Sequence, residues 1–512
     1  MKNRLKKINI KEHMAKIKSD LVVDKLNAIE WTILGLLLLI ITVTLFYGDN
    51  TGMFLTYFWL NEGFFTNFSI RFLGCNQLQY GIVQQWLCQL WVLPVNLVFR
   101  FVRFEPGNTG LIIWYKLSMT FVMTLCMSEM LKLAEVLKIS KERAKWMLIL
   151  FTSSILVALP VFHIAQTDIL YAYFTLIGLR AYFEENNKKF MLLFAMAISC
   201  KGIAVVAFIP LVLLREKRIL YIFRDSLIGV SIFLGERVWY KIVDKLDRLI
   251  TGRTVQYTSM ETVVKQIPTS ATSNTTVVAT VEKTLDDMSE GFFSHFYYKS
   301  LYFEFPAIRK GYMASVLVAS FVLLCIWCYV QKKEESELMM RKALFAISVA
   351  WLIFFANASP SPYWIVAMYP TWFLLFFERP DRIKTNLLLH NVYTLSMFLV
   401  YVVNTDWVYG GSSNLDHLLL KWMLKPDHDS VNGPYVARYL NNMGIEKYMI
   451  IIVSVCWAAA VGLIAVNHYK SDVKDCISDN REERKIMHGF TLWQIAILAV
   501  WYMINVWVIQ RW

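Results

Sequence analysis

Charge is scarce in this sequence: Asp, Glu, Lys and Arg make up 18% of its 512 residues, where a soluble domain carries about 25%. No stretch is long and polar enough to fold as a soluble domain, and no internal repeat is present, which excludes solenoids and propellers. The first thirty residues, MKNRLKKINIKEHMAKIKSDLVVDKLNAIE, are polar and basic, and no small-residue cleavage site follows them. A cleavable signal peptide is therefore not expected. The eight cysteines are scattered. Their close pair, Cys325 and Cys328, lies in an apolar run without polar neighbours to support a metal, so thiol chemistry is set aside.

What is present is apolar. Hydrophobic residues make up 57% and aromatics 15% of the chain, and the mean hydropathy is +0.44. Repeated runs reach the roughly 20 residues needed to cross a bilayer. The sequence describes an all-α, polytopic membrane protein. Its net charge of +13 implies no nucleic-acid partner, because the basic residues sit in short loops between apolar runs, as the positive-inside rule predicts.

Charge counting also sets the topology. Residues 80–99 are apolar enough to be read as a span, but a crossing there would put Lys132, Lys138, Lys141, Arg143 and Lys145 outside and invert every later basic loop. Helices lying along the membrane surface in the external loop 48–110 avoid this. The expected organisation is a basic cytoplasmic N-terminus (1–30), a transmembrane module (31–240) containing that loop, an external loop (241–310), transmembrane helices (311–403), a second external segment (404–447) and C-terminal helices (448–512). About thirteen membrane helices result at ~20 residues per full span. Within this frame residues 190–200 and 202–214 form one up-and-down pair with Lys201 at its apex.

On this topology Asp49, Glu62, Gln166, Asp168, Lys201, Arg253, Arg309, Lys310, Tyr363 and Trp364 gather at the outer face. A transporter is expected to place ionisable groups on broken helices near the midplane, and a channel to repeat a pore segment; neither pattern stands out in the sequence. Sugar transfer from a lipid-phosphate carrier suits the layout better. The carrier tail stays in lipid, the departing phosphate needs cations, and the acceptor hydroxyl needs a carboxylate base. Asp49, in Tyr47-Gly48-Asp49-Asn50 after the first span, is the candidate base. Lys201, Arg253 and Arg309 are candidate phosphate ligands. A lysine at bilayer depth costs ~2.5–3.5 kcal/mol on insertion scales, which suggests a paired or watered site for Lys201.

The order of features resembles the GT-C superfamily of polytopic glycosyltransferases, and within it the bacterial mannosyltransferase-like integral membrane proteins. Three short stretches carry the resemblance: Tyr47-Gly48-Asp49-Asn50 with Phe54, Tyr57 and Trp59 behind it, Ile164-Ala165-Gln166-Thr167-Asp168-Ile169-Leu170-Tyr171, and Ala195 to Lys201 followed by Pro210 and the basic turn Arg215 to Arg218. It covers roughly residues 30–220. Ala165 stands where the family has Gly, no Trp precedes it, and residues 359–364 lack the family's His or Arg. The resemblance implies an inverting transferase using a polyprenyl-phosphate sugar, with Asp49 and Asp168 catalytic. It also implies a glycan or lipid acceptor and a bacterial cytoplasmic membrane with the active site outside.

Plainer roles compete at each position. Asp49 sits in a turn-like composition, and Asp168 could cap the helix that follows it. Glu62 suits a surface loop, Gln166 and His163 suit hydrogen-bonding scaffold, and Tyr363 and Trp364 suit an interfacial aromatic belt. Paired carboxylates could hold Mg2+ or Mn2+, although no ligand spacing specifies a metal site. Two other functional classes share the composition: a flippase for lipid-linked saccharides and a non-catalytic subunit of an envelope-glycan assembly complex.

Overall fold

The computed structural model describes residues 10–47, 81–99, 101, 109–251, 302–304, 313–332, 336–357, 361–404, 413–415, 435–468 and 480–511. The described chain is a helical integral membrane protein. Six of its helices are long and apolar enough to cross a membrane, or seven if a pair bent by 68° counts as one span. Four more apolar helices are shorter, among them Ile169–Phe183 and Gly202–Arg215. Their lengths fall short of a full crossing, so among the described residues six or seven helices span by length, beside the about thirteen membrane helices expected from the sequence.

The chain begins with α1 (Ile10–Leu21) and the first full-length helix, α2 (Lys25–Thr44). Asp24 starts α2 by accepting the Asn27 N–H at 2.8 Å, which satisfies one of the free donors of a helix N-terminus. Strand β1 (Leu45–Tyr47) follows α2 directly. Helices α3 (Ile82–Phe99), α4 (Thr109–Val136) and α5 (Lys141–Ser153) come next, and α5 bends sharply into α6 (Ile155–Ala158) and a π-helical turn at Leu159–His163. Three shorter helices then run back and forth: α7 (Ile169–Phe183), α8 (Asn187–Cys200) and α9 (Val205–Arg215). At Gly178 of α7 a Cβ would lie 2.7 Å from the Phe194 ring of α8, so glycine is what lets these two helices close up.

Beyond them lie the long α10 (Ile219–Thr251), strands β2 (Tyr302–Glu304) and β3 (Met313–Ser315), α11 (Val316–Val330), α12 (Ser336–Asn357), a 3-10 turn at Pro362–Ala367 and α13 (Met368–Glu378). The chain closes with α14 (Ile383–Asn404), β4 (Ser413–Leu415), α15 (Tyr435–Asn442), α16 (Met449–Val466) and α17 (Asn480–Arg511). Two three-residue antiparallel ladders, β1 with β4 and β2 with β3, are the exceptions to the helical pattern among the described residues.

Helix α3 falls within the loop expected to hold helices along the membrane surface, and it packs against the bundle. Gln84, Cys88, Gln89, Val92 and Asn96 are buried on one side of it. Trp91 stacks on Trp114 and Phe121 of α4, at 5.1 and 5.7 Å between ring centres. The helix is thus docked into the bundle along a partly polar face, a pattern that a hydropathy profile reads as interfacial.

Polar side chains join the helices where apolar packing gives no orientation. Asn386 of α14 and Asn467 at the end of α16 exchange amide hydrogen bonds of 3.1 and 2.8 Å. Trp372 of α13 donates to the Ser348 carbonyl of α12 at 3.1 Å. At the end of the bundle holding the α2 N-terminus, His488 of α17 lies 2.7 Å from Glu30 and 3.3 Å from Asp24. Its ring meets the edge of Trp146 of α5 at 4.7 Å, so the first and last long helices are tied together there.

Candidate active site

Three interruptions of helical structure converge at one level of the bundle: the turn from the π-helix through Asp168, the break at Lys201, and the 3-10 turn at Pro362–Ala367. Irregular backbone is tolerated at membrane depth where it is buried in protein or lines a watered cavity. A convergence of three such breaks is therefore a place to look for chemistry.

Helix lengths and contacts set the position of this level within the bundle. Helices α7 and α8 have 15 and 14 residues and rise about 21–22 Å, short of the roughly 30 Å hydrocarbon core. Lys116 of α4 marks the level where α2 ends, since its ammonium donates to the Thr42 and Leu45 carbonyls at 2.7 and 2.8 Å. Further along α4, Cys126 donates to the Ile169 carbonyl at 3.9 Å. The helix between Lys116 and Cys126 rises about 15 Å. The start of α7 therefore lies about 15 Å along α4 from the level of the α2 terminus.

Asp168 and Lys201 meet at this level. Their side chains are 1% and 12% exposed, with Lys201 Nζ 3.4 Å from Asp168 Oδ1. Asp168 precedes α7, but its side chain makes no capping hydrogen bond, so the capping role weighed for it is not the one it takes. Lys201 sits in extended backbone (φ −153°, ψ 114°) between α8 and a short 3-10 turn. The reversal expected at Lys201 is present, with Arg215 at the far end of α9 returning to Tyr182 and Phe190.

The Lys201 ammonium also lies over the Trp364 ring, 4.2 Å from its centre, a favourable approach for a desolvated cation. Tyr171, one turn along α7 from Asp168, donates its hydroxyl to the Trp364 carbonyl. Contacts thus run from Asp168 through Lys201 and Trp364 to Tyr171, back on the helix that Asp168 precedes. Tyr363 is buried and Trp364 packs against the core, so this pair belongs to the interior and not to a lipid-facing aromatic belt.

Around these contacts the turn is tightly built. Gln166 is buried and its N–H donates to the Pro160 carbonyl at 3.0 Å. Ala165 takes a left-handed conformation, φ 52°, which glycine adopts more readily than alanine. Thr167 accepts a hydrogen bond from Gln84 of α3. His163 is buried and within electrostatic reach of Lys116.

Of the remaining candidates, Asp49, Glu62, Arg253, Arg309 and Lys310 lie outside the described residues. The chain before Asp49 is described as far as Tyr47, and β1 packs beside the π-helical turn. Among the described residues no three His, Cys, Asp or Glu side chains are grouped so as to hold a metal ion.

Sequence reasoning missed Lys116, Tyr171, Gln84, Ser199 and Glu236. Lys116 had a signal, since it is the one charge in the apolar run of residues 111–128; Glu236, which adjoins Arg237 in a helix that also carries Arg224 and Asp225, had a weaker one. The other three had none, because their importance comes from partners distant in the chain.

No family model matches the chain, and no curated protein matches it. Among solved structures it is similar to ArnT from Cupriavidus metallidurans, whose crystal structure is bound to undecaprenyl phosphate. That match has 11% identity and a TM-score of 0.36, and covers 91% of this chain and 77% of that one. The overlay is loose, and a functional reading must come from the residues of the site.

Proposed function

We propose that the protein is a membrane glycosyltransferase that moves a sugar from a polyprenyl-phosphate donor to a glycan or lipid acceptor. The observation that carries this reading is the meeting of two separate stretches that prompted the GT-C resemblance: residues 164–171 and 195–201 contact each other through Asp168 and Lys201. The third stretch begins at Tyr47, and its described start adjoins the same π-helical turn.

In the proposed reaction the acceptor oxygen attacks the anomeric carbon and its proton passes to the Asp49 carboxylate. The bond from that carbon to the phosphate oxygen breaks, and its electron pair leaves with the lipid phosphate. Lys201, steered by Asp168 and Trp364, neutralises the charge growing on the phosphate, with Arg253 and Arg309 as further ligands. Gln166, Glu62 and Tyr363 contribute to the substrate pocket. Configuration at the anomeric carbon inverts. On this reading the bundle has about thirteen membrane helices, the basic end faces the cytoplasm of a bacterial cell and the site opens to the outside. Mg2+ or Mn2+ at the acidic residues is part of the proposal only if turnover requires it.

A second reading, a flippase for lipid-linked saccharides, gains from one finding. Broken helices carrying ionisable groups inside the membrane thickness are what a transporter places at its binding site, and the described helices break in this way at Asp168 and Lys201.

Purified protein in lipid nanodiscs, supplied with a panel of polyprenyl-phosphate sugars and candidate acceptors, separates the two. The transferase releases free polyprenyl phosphate, and Asp49→Asn abolishes that release without altering membrane insertion. Donor binding without release favours the flippase. Normal turnover by a folded Asp49→Asn variant removes Asp49 from the mechanism.

A further inference from the structure

Helix α10 presents the carboxylate of Glu236 inward, at the level of Lys201. Its side chain is buried, and an ionisable group in such a place is expected to be engaged by specific partners. Glu236 Oε1 accepts the backbone N–H of Ile82, the first residue of α3, at 3.1 Å. The same oxygen accepts the hydroxyl of Ser199, in the last turn of α8. One acceptor on α10 therefore fastens the start of α3 to the end of α8.

Two further features bind α3 into this corner. Gly81, just before α3, lies so close to α8 that a Cβ there would be 1.6 Å from the Ser199 carbonyl oxygen. Gln84, in the first turn of α3, donates to Thr167. Ser199 stands two residues before Lys201, and Thr167 directly precedes Asp168. The first turn of α3 thus touches both short segments that carry the Asp168–Lys201 pair, and Glu236 holds that turn in place.

We infer that Glu236 is a positioning residue for the Asp168–Lys201 pair, acting as a hydrogen-bond acceptor that clamps the first turn of α3 against the Lys201 break. This inference rests on the reading of that pair as the reacting site. The carboxylate serves here through its oxygen and not through proton transfer, so a glutamine, which keeps an acceptor oxygen in place, preserves the clamp. An alanine removes it, and misplacement of a reacting group by about 1 Å is worth on the order of 100-fold in rate.

The test compares Glu236→Ala, Glu236→Gln and Gly81→Ala with wild type in nanodiscs. Three quantities are followed: amide hydrogen exchange at residues 82–85, acylation of the Lys201 amine read by mass spectrometry, and release of polyprenyl phosphate. Glu236→Ala and Gly81→Ala are expected to speed exchange, alter Lys201 labelling and slow release on the order of 100-fold. That loss falls on kcat with KM little changed, and Glu236→Gln matches wild type in all three. The inference is overturned if Glu236→Gln is as impaired as Glu236→Ala, since charge would then be the requirement. It is equally overturned if Glu236→Ala leaves Lys201 labelling unchanged. Should wild type release no polyprenyl phosphate, the transferase reading falls alone, because exchange and labelling decide the clamp without it.

Discussion

At the basic end of the bundle and in its interior, oppositely charged side chains meet in different geometries. At the basic end Arg143 grips Glu483 through two nitrogens at 2.9 and 3.2 Å, Arg484 meets Glu142 at 2.6 Å and Arg180 meets Glu129 at 2.8 Å. These are short, well-directed pairs between helices, and all three arginines keep some solvent exposure. In the interior Asp168 and Lys201 are more deeply buried, lie 3.4 Å apart and come from helix breaks. Among the described residues neither Asp168 oxygen accepts a hydrogen bond of ordinary geometry. A pair optimised for stability would not look like this. The basic end holds helices together, whereas the buried pair keeps a cation and a carboxylate poised for something else.

The sharpest way to break this comparison is to remove one partner of the buried pair. Lys201→Met leaves an uncompensated carboxylate and should destabilise the protein by about 3–5 kcal/mol, whereas a neutral, well-packed pair is often tolerated. Asp168→Asn combined with Lys201→Met should therefore recover most of the thermal stability measured in detergent, yet support no release of polyprenyl phosphate. Recovery of both would make the pair structural, like those at the basic end.

At the basic end the effects should be smaller and confined to stability. His488→Ala deletes the contacts to Glu30 and Asp24 and should cost about 2 kcal/mol without changing turnover per folded molecule. Asp24→Ala removes the cap of α2 and should cost about 1 kcal/mol. That contribution also depends on pH. Burial pushes the Asp24 carboxyl upward, but the Asn27 N–H and His488 together outweigh it and hold the group below its ordinary range. A lowered folded value means the stabilisation is complete above about pH 4 and is lost as the pH falls through that folded value. Acid unfolding of wild type and Asp24→Ala should converge below that point, while a constant difference would remove His488 and Asn27 as the cause.

Much of the helical pattern was legible in the sequence, because apolar runs bounded by charge encode it directly. The reversal at Lys201 could be read from two runs too short to span and a lysine between them. The position of the site within the bundle could not, since it depends on where neighbouring helices stop, and no single segment records that. Lys116 and Glu236 were legible in principle. The cost argument that singled out Lys201 applies equally to Lys116, the one charge in residues 111–128, and less directly to Glu236, which adjoins Arg237. The Gln84–Thr167 and Ser199–Glu236 contacts were not legible, because small polar residues in apolar helices are common and their partners are set by packing alone.

Backbone strain offers the mildest test of the same contrast. Ala165 beside the buried pair and Glu185 in the exposed turn between α7 and α8 both have positive φ, 52° and 55°, a conformation that costs an L-residue roughly 1–2 kcal/mol. At Glu185 a glycine should relieve that strain with no packing to lose, raising stability by up to about 1 kcal/mol after its greater unfolded-state freedom is counted. At Ala165, which is 1% exposed, the same change also deletes a buried methyl worth about 0.8 kcal/mol. Ala165→Gly should therefore be close to neutral, while Ala165→Val, β-branched at positive φ and crowded, should cost about 1–3 kcal/mol. If Ala165→Gly instead stabilises as much as Glu185→Gly, the turn before Asp168 is loosely packed and the strain there is no different from that of an ordinary surface turn.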